Sequence, residues 1–363
     1  MGWLRLKKVG MKDSHIRKLM KLYENYEDLY VYENFKLFND ELKIQLEKAK
    51  KINMSNIFEK YQEHKIRIIN ANAGEYPKVL KEVVDYPLFL YVKGKMLYEN
   101  SDFNNKNQSK RKNIAVVGTR RMTKFGKSAC EKIVKELLEY DITLISGLAE
   151  GIDTVALTTS IERTGKTVAV VGTGLDTVYP YENKHLWEKI YTTGTIISEY
   201  PLGTQPSKWT FPRRNRIIAG LADGILIGES FKSGGSLITA ELGFSMNKEI
   251  FAIPGFINYP SFEGCNILIK ENRAKLITCA EDIAKEFLWD INREKTKMKN
   301  LNKNEKLIFD NIMEETSIEE LIKNLDTDSE HKFSINEVLS ILMSLKIKGL
   351  ITETGTARYM RII

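Results

Sequence analysis

Short apolar runs separated by amphipathic stretches dominate the middle of the chain. Six of these runs predict β-strands: IAVV (114–117), ITLIS (142–146), TVAVV (167–171), GTIIS (194–198), GILIG (224–228) and EIFAIP (249–254). Each run is followed by residues with helical periodicity, and its continuous apolar character indicates a strand with both faces covered. The pattern therefore predicts an α/β fold with an extended, doubly wound and mostly parallel sheet.

The pattern changes on the N-terminal side of this region. Residues 1–70 have apolar side chains at helical spacing and predict a small domain of short helices, of the helix-hairpin-helix or SAM-like type. The alternating segment LFLYVKG (88–94) predicts a strand that approaches the sheet, and the polar segment 101–112 predicts a loop. We therefore place the sheet domain at residues 71–287.

The C-terminal side changes in a similar way. Residues 288–303 are polar and charged and predict a linker, and residues 304–363 predict three helices and a closing hairpin. Ser317 with Glu320, and Ser334 with Glu337, have the spacing of capping boxes at two of these helices. This order resembles a winged helix. Its third helix carries only two lysines, so we interpret it as a protein-contact module and not as a reader of duplex DNA.

Chain length and net charge place only weak limits on the number of domains and on the kind of binding partner. A chain of 363 residues predicts two or three domains. The formal net charge is +7, and the excess of basic side chains lies in the first 112 residues while the sheet region is balanced. An argument for an anionic partner therefore depends on local clusters.

The cysteines and the apolar runs indicate a cytoplasmic protein. The three cysteines are widely separated and have no second ligand at metal-binding spacing, which favours free thiols in a reducing compartment and no metal site. No run reaches the length of a membrane span, and the N-terminus lacks the features of a signal peptide.

One basic segment stands out against this background. KWTFPRRNRIIAG (208–220) places the cations Lys208, Arg213, Arg214 and Arg216 beside the rings of Trp209 and Phe211. Guanidinium and ammonium groups bind phosphates, and aromatic rings stack on unpaired bases. The segment predicts a polyanion-binding loop, although a solvated basic turn before a helix has the same composition, and Arg216 and Phe211 also suit structural roles.

Gly-rich loops follow several of the predicted strands, where ligands of open α/β sheets bind. Gly118, Thr119 and Arg120 follow the first strand, and Ser146 and Gly147 end the second. Ser233, Gly234, Gly235 and Ser236 stand at a predicted helix start. Backbone N–H groups in such turns bind anions, so these loops predict one hydrogen-bond-rich edge.

Other nucleotide and catalytic sites are disfavoured by spacing. The two Gly-Lys-Ser/Thr triplets, at 126–128 and 165–167, lack the earlier glycine of a Walker A loop, and the pair Gly172 and Gly174 lacks the third glycine of a dinucleotide fingerprint. The sheet region has one histidine, His185, so neither a Ser-His-Asp triad nor a metal-ligand set can be assembled there. We therefore predict no cofactor and no enzymatic activity.

Eight ordered motifs between about Tyr76 and Phe287 resemble the DNA-processing protein A family, also called Smf. They are VGTR (117–120), SGLAEGID (146–153), AVVGTGLDTVYP (169–180), ISEYPLG (197–203), FPRRNRIIAGL (211–221), SGGSLITAE (233–241), IPG (253–255) and GCNILI (264–269). The resemblance implies a Rossmann-like domain that binds single-stranded DNA without nucleotide hydrolysis. It also implies a homodimer that places the recombinase RecA on DNA taken up in natural transformation, past single-strand-binding protein.

The family's DNA contacts, carried over position by position, fall on Arg120, on Lys208 and Phe211, and on the loop backbone near Ser146 and Gly147. An alternative of another class is a nucleoside-monophosphate phosphoribohydrolase, because SGGSLITAE (233–241) is similar to a motif of the cytokinin-activating enzymes. In that case Thr239 and Glu241 would bind the ribose phosphate and assist the chemistry.

Overall fold

The computed structural model describes residues 2–95, 112–289, 301–312, 315–328, 333–348, 350–355 and 357–361. The chain divides into two compact units, Met1–Ile283 and Ala284–Ile363. Apart from Lys112, the predicted loop at 101–112 lies outside the described residues, and so do positions 290–300 of the predicted linker.

The N-terminal segment is mainly helical, as predicted, and belongs to the same compact unit as the sheet. Its helices are α1 (Trp3–Lys8), α2 (Asp13–Leu22), α3 (Tyr32–Leu37), α4 (Asp40–Lys50) and α5 (Ser55–Glu63). It ends in a strand, β1 (Ile66–Asn70), that the sequence analysis assigned to a helical region. Its five residues form an antiparallel ladder with the predicted strand at 88–94, and so short a run carries little periodicity of its own.

A nine-stranded sheet forms the centre of the first unit, in the order β1-β2-β6-β5-β4-β3-β7-β8-β9. The remaining strands are β2 (Phe89–Gly94), β3 (Lys112–Val117), β4 (Ile142–Ser146), β5 (Thr167–Val171), β6 (Thr195–Ser198), β7 (Gly224–Ile227), β8 (Glu249–Ala252) and β9 (Lys275–Leu276). Strands β3 to β9 are parallel, whereas β2 pairs antiparallel with β6. The six strands predicted from apolar runs are confirmed.

The strand order reverses between β3 and β7, and helices cover both faces of the sheet. The helices are α6 (Lys124–Leu137), α7 (Ile152–Arg163), α8 (Lys184–Thr193), α9 (Thr210–Leu221), α10 (Gly235–Ser245), α11 (Glu263–Lys270) and α12 (Ala280–Glu286). Helix α7 packs on α6 and α8, and α9 packs on α10. This is a doubly wound, Rossmann-like arrangement. Its topological switch point lies beyond the carboxyl ends of β3 and β7, where such folds bind ligands.

The second unit has its own apolar core, which includes Ile308, Leu321 and Leu342. Its elements are α13 (Lys303–Asp310), β10 (Thr316–Ser317), α14 (Ile318–Asp328), α15 (Ile335–Ile347), β11 (Ile351–Gly355) and β12 (Arg358–Arg361). The strands form a three-stranded sheet in the order β10-β12-β11. Three helices and a closing hairpin agree with the order predicted for a winged helix, and the capping box at Ser334 is present.

Candidate nucleic-acid interface

Four loops follow the carboxyl ends of β3, β4, β5 and β7 and form one edge, which we call the rim (residues 118–121, 147–151, 172–180 and 228–236). The loops are joined by backbone hydrogen bonds. The N–H of Thr119 donates to the carbonyl of Glu229 (2.7 Å), and the N–H of Ile152 donates to the carbonyl of Thr119 (3.2 Å). The turn at Gly118 is packed as well, since a Cβ there would lie 2.6 Å from Ile152. The loops after β3, β4 and β7 are therefore connected at the switch point.

Arg120 is exposed on this rim and lies beside an aromatic pair. Its guanidinium carbon is 5.4 Å from the ring centroid of Phe211, in the range of a cation–π contact. The ring of Tyr179, from the loop after β5, is 5.3 Å from the same ring at an interplanar angle of 33°. The structure thus brings Arg120 and Phe211 together, as predicted, and adds Tyr179.

Phe211 is half-buried, which is compatible with both of its predicted roles, packing inside the protein and contact with a ligand. A Cβ on Gly172 would lie 3.0 Å from its ring, so part of the ring packs on the loop after β5. The remainder of the side chain is accessible at the rim. The ring is thereby fixed in position and still offers surface to a ligand.

A second cation and ring stand just before α9. Lys208 and Trp209 are both exposed, and the indole is 75% accessible. The Nζ atom of Lys208 is 5.3 Å from the indole ring centroid. The indole therefore offers an accessible stacking face next to a cation. The sequence analysis named the Trp209 ring as a stacking face without assigning it a DNA contact, and it did not consider Tyr179, although that residue lies in a segment already chosen for its glycines.

The basic segment is helical, which differs from the loop that the sequence predicts. Helix α9 begins at Thr210, so Arg213, Arg214 and Arg216 are helical residues and point in different directions. Pro212 lies in the first turn, where a missing N–H breaks no helical hydrogen bond. Arg213 is exposed, and its guanidinium group lies 3.5 Å from Glu199.

Arg214 is buried beneath the rim. It donates hydrogen bonds to the carbonyl oxygens of Gly147 and Val170, which belong to the loop after β4 and to the end of β5. The buried carboxylate of Asp153 accepts from the N–H of Gly147 (3.1 Å). Burial lowers the pKa of Arg214 to about 10, with Asp153 acting in the opposite direction, so the guanidinium is still charged at neutral pH. Burial raises the pKa of Asp153, and Arg214 counteracts this.

The same arginine explains why position 147 is a glycine. A Cβ at Gly147 would lie 2.2 Å from Nη1 of Arg214. Ser146 is also fully buried, and its hydroxyl donates to the carbonyl of Val116 (2.6 Å). Ser146 and Gly147 therefore lie buried beneath the rim. Their Cβ positions face the interior of the protein and are not accessible to a ligand.

Arg216 is likewise buried and joins three parts of the first unit. Its guanidinium group pairs with Glu199 (2.7 Å) after β6 and with Asp85 (3.0 Å) from the segment before β2. Burial opposes the charge, but these carboxylates outweigh it and raise the pKa of Arg216. Arg214 and Arg216, both predicted as DNA contacts, are thus buried and bonded inside the protein, which favours structural roles for them.

The loop before α10 brings small residues to the same edge. Gly234 is the N-cap residue, and Ser233 and Gly235 are exposed. Ser236 is buried, and its hydroxyl donates to that of Ser230 (2.8 Å). Ser233 and Gly235 are therefore accessible at the positive end of the helix dipole, whereas the Ser236 side chain holds the loop in place.

Glu229 is a functional candidate that sequence reasoning missed. It lies two residues beyond β7 at the switch point and is fully buried. Its carboxylate accepts from the backbone N–H (3.0 Å) and the hydroxyl (3.2 Å) of Thr123, the N-cap of α6. The carboxylate also fills the space beside Gly126, where a Cβ would lie 1.7 Å from Oε2. An acid directly after an apolar strand was the available signal, and its role here is to hold the start of α6 against the rim.

The residues of the phosphoribohydrolase alternative lie on α10. Thr239 is buried within α10, and Glu241 pairs with Arg273. Among the described residues, no cluster of His, Cys, Asp and Glu has the arrangement of a metal site. Within that same part of the chain, no helix is both long and apolar enough to cross a lipid bilayer.

The sequence of the chain is similar to proteins of a known family. Residues 67–288 match the family model described as DNA recombination-mediator protein A. The chain belongs to this family. DNA processing protein DprA from Streptococcus pneumoniae is 42% identical over 212 residues, which cover 58% of this chain and 71% of the relative. DprA from Bacillus subtilis is 37% identical over 227 residues, 62% of this chain and 73% of the relative.

Two solved structures of DprA proteins share the fold. The X-ray structure of Streptococcus pneumoniae DprA has a TM-score of 0.67 and 35% identity, covering 79% of this chain and 98% of that one. DprA from Helicobacter pylori, solved in a study of its single-stranded DNA binding mode, has a TM-score of 0.53 and 26% identity, covering 62% of this chain and 96% of that one. The family resemblance and the Rossmann-like fold predicted from the sequence are thus confirmed.

Proposed function

We propose that this DprA-family chain binds single-stranded DNA along the rim and carries out no nucleotide hydrolysis. The observation that carries the proposal is the group formed by Arg120, Phe211 and Tyr179, in which a cation and two rings are fixed at the switch point. Rings that stack on unpaired bases and cations that meet phosphates bind single strands without sequence preference. Lys208 and Trp209 repeat this combination beside the group.

A related protein supports single-stranded DNA as the ligand. The Helicobacter pylori protein, whose fold this chain shares, has a single-stranded DNA binding mode. Stacking faces are accessible only in unpaired strands, because the bases of a duplex already stack on one another. We therefore assign DNA contacts to Arg120, Lys208 and Phe211, with the loop backbone at Gly235 near the phosphates. The backbone N–H groups of Gly118 and Thr119, also predicted as contacts, donate inside the protein to Asp153 and to the carbonyl of Glu229.

The wider role that we propose is DNA processing in natural transformation. In this role a cytoplasmic homodimer loads RecA recombinase onto incoming single strands and displaces single-strand-binding protein. The proposal extends to this chain what the family resemblance implies. Its test is RecA filament assembly on an oligonucleotide precoated with single-strand-binding protein, with and without the purified chain. Faster assembly with wild-type protein, lost in Arg120→Ala, supports loading; equal rates with and without the protein contradict it.

A further inference from the structure

A second group of exposed rings lies on the other side of the switch point from Phe211. Phe125, Phe256 and Tyr259 are 43%, 60% and 49% exposed, and we call this group the aromatic step. The rings of Phe125 and Phe256 have centroids 5.6 Å apart, and those of Phe256 and Tyr259 are 5.4 Å apart. Three accessible rings in mutual contact form a larger apolar surface than single exposed side chains do.

The aromatic step is anchored to the core. The ring centroid of Phe125 lies 5.5 Å from that of Phe262, which is fully buried. Gly255 leaves room for the same Phe262 ring, since a Cβ there would lie 2.0 Å from it. Rings fixed from below can bind a ligand without losing further side-chain entropy.

The aromatic step is continuous with the rim. Phe125 is in the first turn of α6, and only five positions separate it from Arg120, a span of at most about 17 Å of chain. The side chains of Arg121 and Lys124 in this interval, and of Lys127 two positions beyond Phe125, are exposed. Among the residues that the structure describes, none of these three cations forms an ion pair with a carboxylate. Cations therefore connect the two aromatic groups.

We propose that the aromatic step is a second stacking site for the same single strand, which crosses the switch point from Phe211 to Phe256 over the start of α6. This inference rests on the proposed function. Its occupant is a run of unpaired bases, with Arg121 and Lys124 at the intervening phosphates. Charge complementarity and continuity with the rim favour nucleic acid over a protein partner, because the surface between the two ring groups is cationic and not apolar.

The test compares oligothymidylates of increasing length against the full-length protein and two variants, Phe256→Ala and Tyr259→Ala. Loss of one stacked base weakens binding by about fivefold or more. The proposal predicts this loss only for oligonucleotides long enough to reach both groups, with no change for short ones that occupy Phe211 alone. Tyr32→Ala is the matched control, because Tyr32 is an equally accessible ring (75% exposed) on helix α3 and is predicted to have no effect.

Outcomes separate this inference from the proposed function. If the wild-type chain binds no single strand at any length, the proposed function fails. If it binds but Phe256→Ala and Tyr259→Ala match Tyr32→Ala at every length, the aromatic step is not a DNA site and the inference is overturned alone. The inference is also overturned if the two variants change the sedimentation of the free protein and leave binding unchanged, which would make the step a protein interface.

Discussion

The rim of the first unit and helix α15 of the second unit are two surfaces where nucleic acid could be expected from the fold. At the rim, Arg120 and Lys208 lie over aromatic rings and remain accessible. On α15, the accessible residues at every fourth position are apolar: Ile335, Leu339, Met343 and Ile347. A stripe of this kind suits a protein partner and has no donors for phosphate or base edges.

The lysines of α15 reinforce the contrast. Lys346 pairs with Glu353 (2.6 Å), and Lys348 pairs with Glu305 (2.6 Å). Their charges are used inside the second unit, whereas the rim cations face solvent. A binding function follows from the chemistry of a surface and not from the type of fold that carries it.

Removing the buried guanidinium under the rim is expected to have the largest effect. Arg214→Ala removes the buried hydrogen bonds to the carbonyls of Gly147 and Val170 and the cation that counteracts the burial of Asp153, and leaving buried polar groups without compensation in this way costs about 3–5 kcal/mol. Urea denaturation measures the loss in the free energy of unfolding. The matched control is Arg213→Ala, whose side chain is half-exposed and whose partner Glu199 keeps its pairing with Arg216, so the loss should be at most about 1 kcal/mol. Equal stabilities of the two variants would contradict the structural role of Arg214.

Loss of the aromatic ring at the rim is expected to have the second-largest effect. Phe211→Leu retains apolar packing against Gly172 and removes the aromatic face, so binding of single-stranded DNA should weaken by about 1–3 kcal/mol. Because no charge changes, the slope of log affinity against log salt should stay the same. Fluorescence anisotropy at several salt concentrations measures both quantities, and an altered slope with unaltered affinity would argue against stacking.

The rim cations should change the salt dependence. Arg120→Ala and Lys208→Ala should each reduce the slope by about 0.7 if each side chain neutralises one phosphate of a single strand. The affinity should fall equally for different base sequences. Lys346→Ala on α15 is the control and should leave the slope unchanged. If Lys346→Ala reduced the slope as much as the rim variants do, the cations of the rim and of α15 would not differ in DNA binding.

Acid should weaken the second unit through Glu305. Hydrogen bonds from Lys348, with smaller contributions from Asn302 and Ser344, lower the pKa of this carboxyl to about 2. A depressed pKa in the folded state means that the stabilisation is complete above the unfolded pKa of about 4.3 and is lost as the pH falls towards 2. Amide hydrogen exchange in α13 should therefore differ between wild type and Glu305→Gln at pH 6, and the difference should shrink in acid. A constant difference across this range would refute the assignment.

The smallest effect is expected on the apolar stripe. Met343 is 71% exposed, so Met343→Lys should change the free energy of unfolding by no more than about 0.5 kcal/mol. Single-stranded DNA affinity should also be unchanged, because α15 lies outside the proposed interface. Tighter binding by this variant would show that α15 approaches the DNA.

The sequence predicts the strands well because continuous apolar runs in a buried parallel sheet differ sharply from their surroundings. It predicts α9 poorly. Three arginines within four positions hide the helical period, and Pro212 suggests a loop although the first helical turn accommodates it. Charged residues are also mostly exposed in proteins, so burial of Arg214 and Arg216 runs against the general expectation.

The internal partners of Arg214 and Arg216 cannot be predicted from the neighbouring sequence. Asp85 pairs with Arg216 across 131 positions of sequence, and Val170 lies 44 positions from Arg214. Only the topology of the sheet places such residues together. By contrast, Arg120 and Phe211 were predictable, because both occupy segments that follow strands and ligands bind at that edge.

The most direct test of the account is a titration of the wild-type chain with single-stranded and duplex DNA of the same sequence at two salt concentrations. We expect the single strand to bind more tightly at both concentrations, its affinity to fall as salt rises, and Arg120→Ala to weaken its binding. Equal or tighter binding of the duplex, or binding that salt leaves unchanged, would contradict a rim that grips unpaired bases between rings and cations.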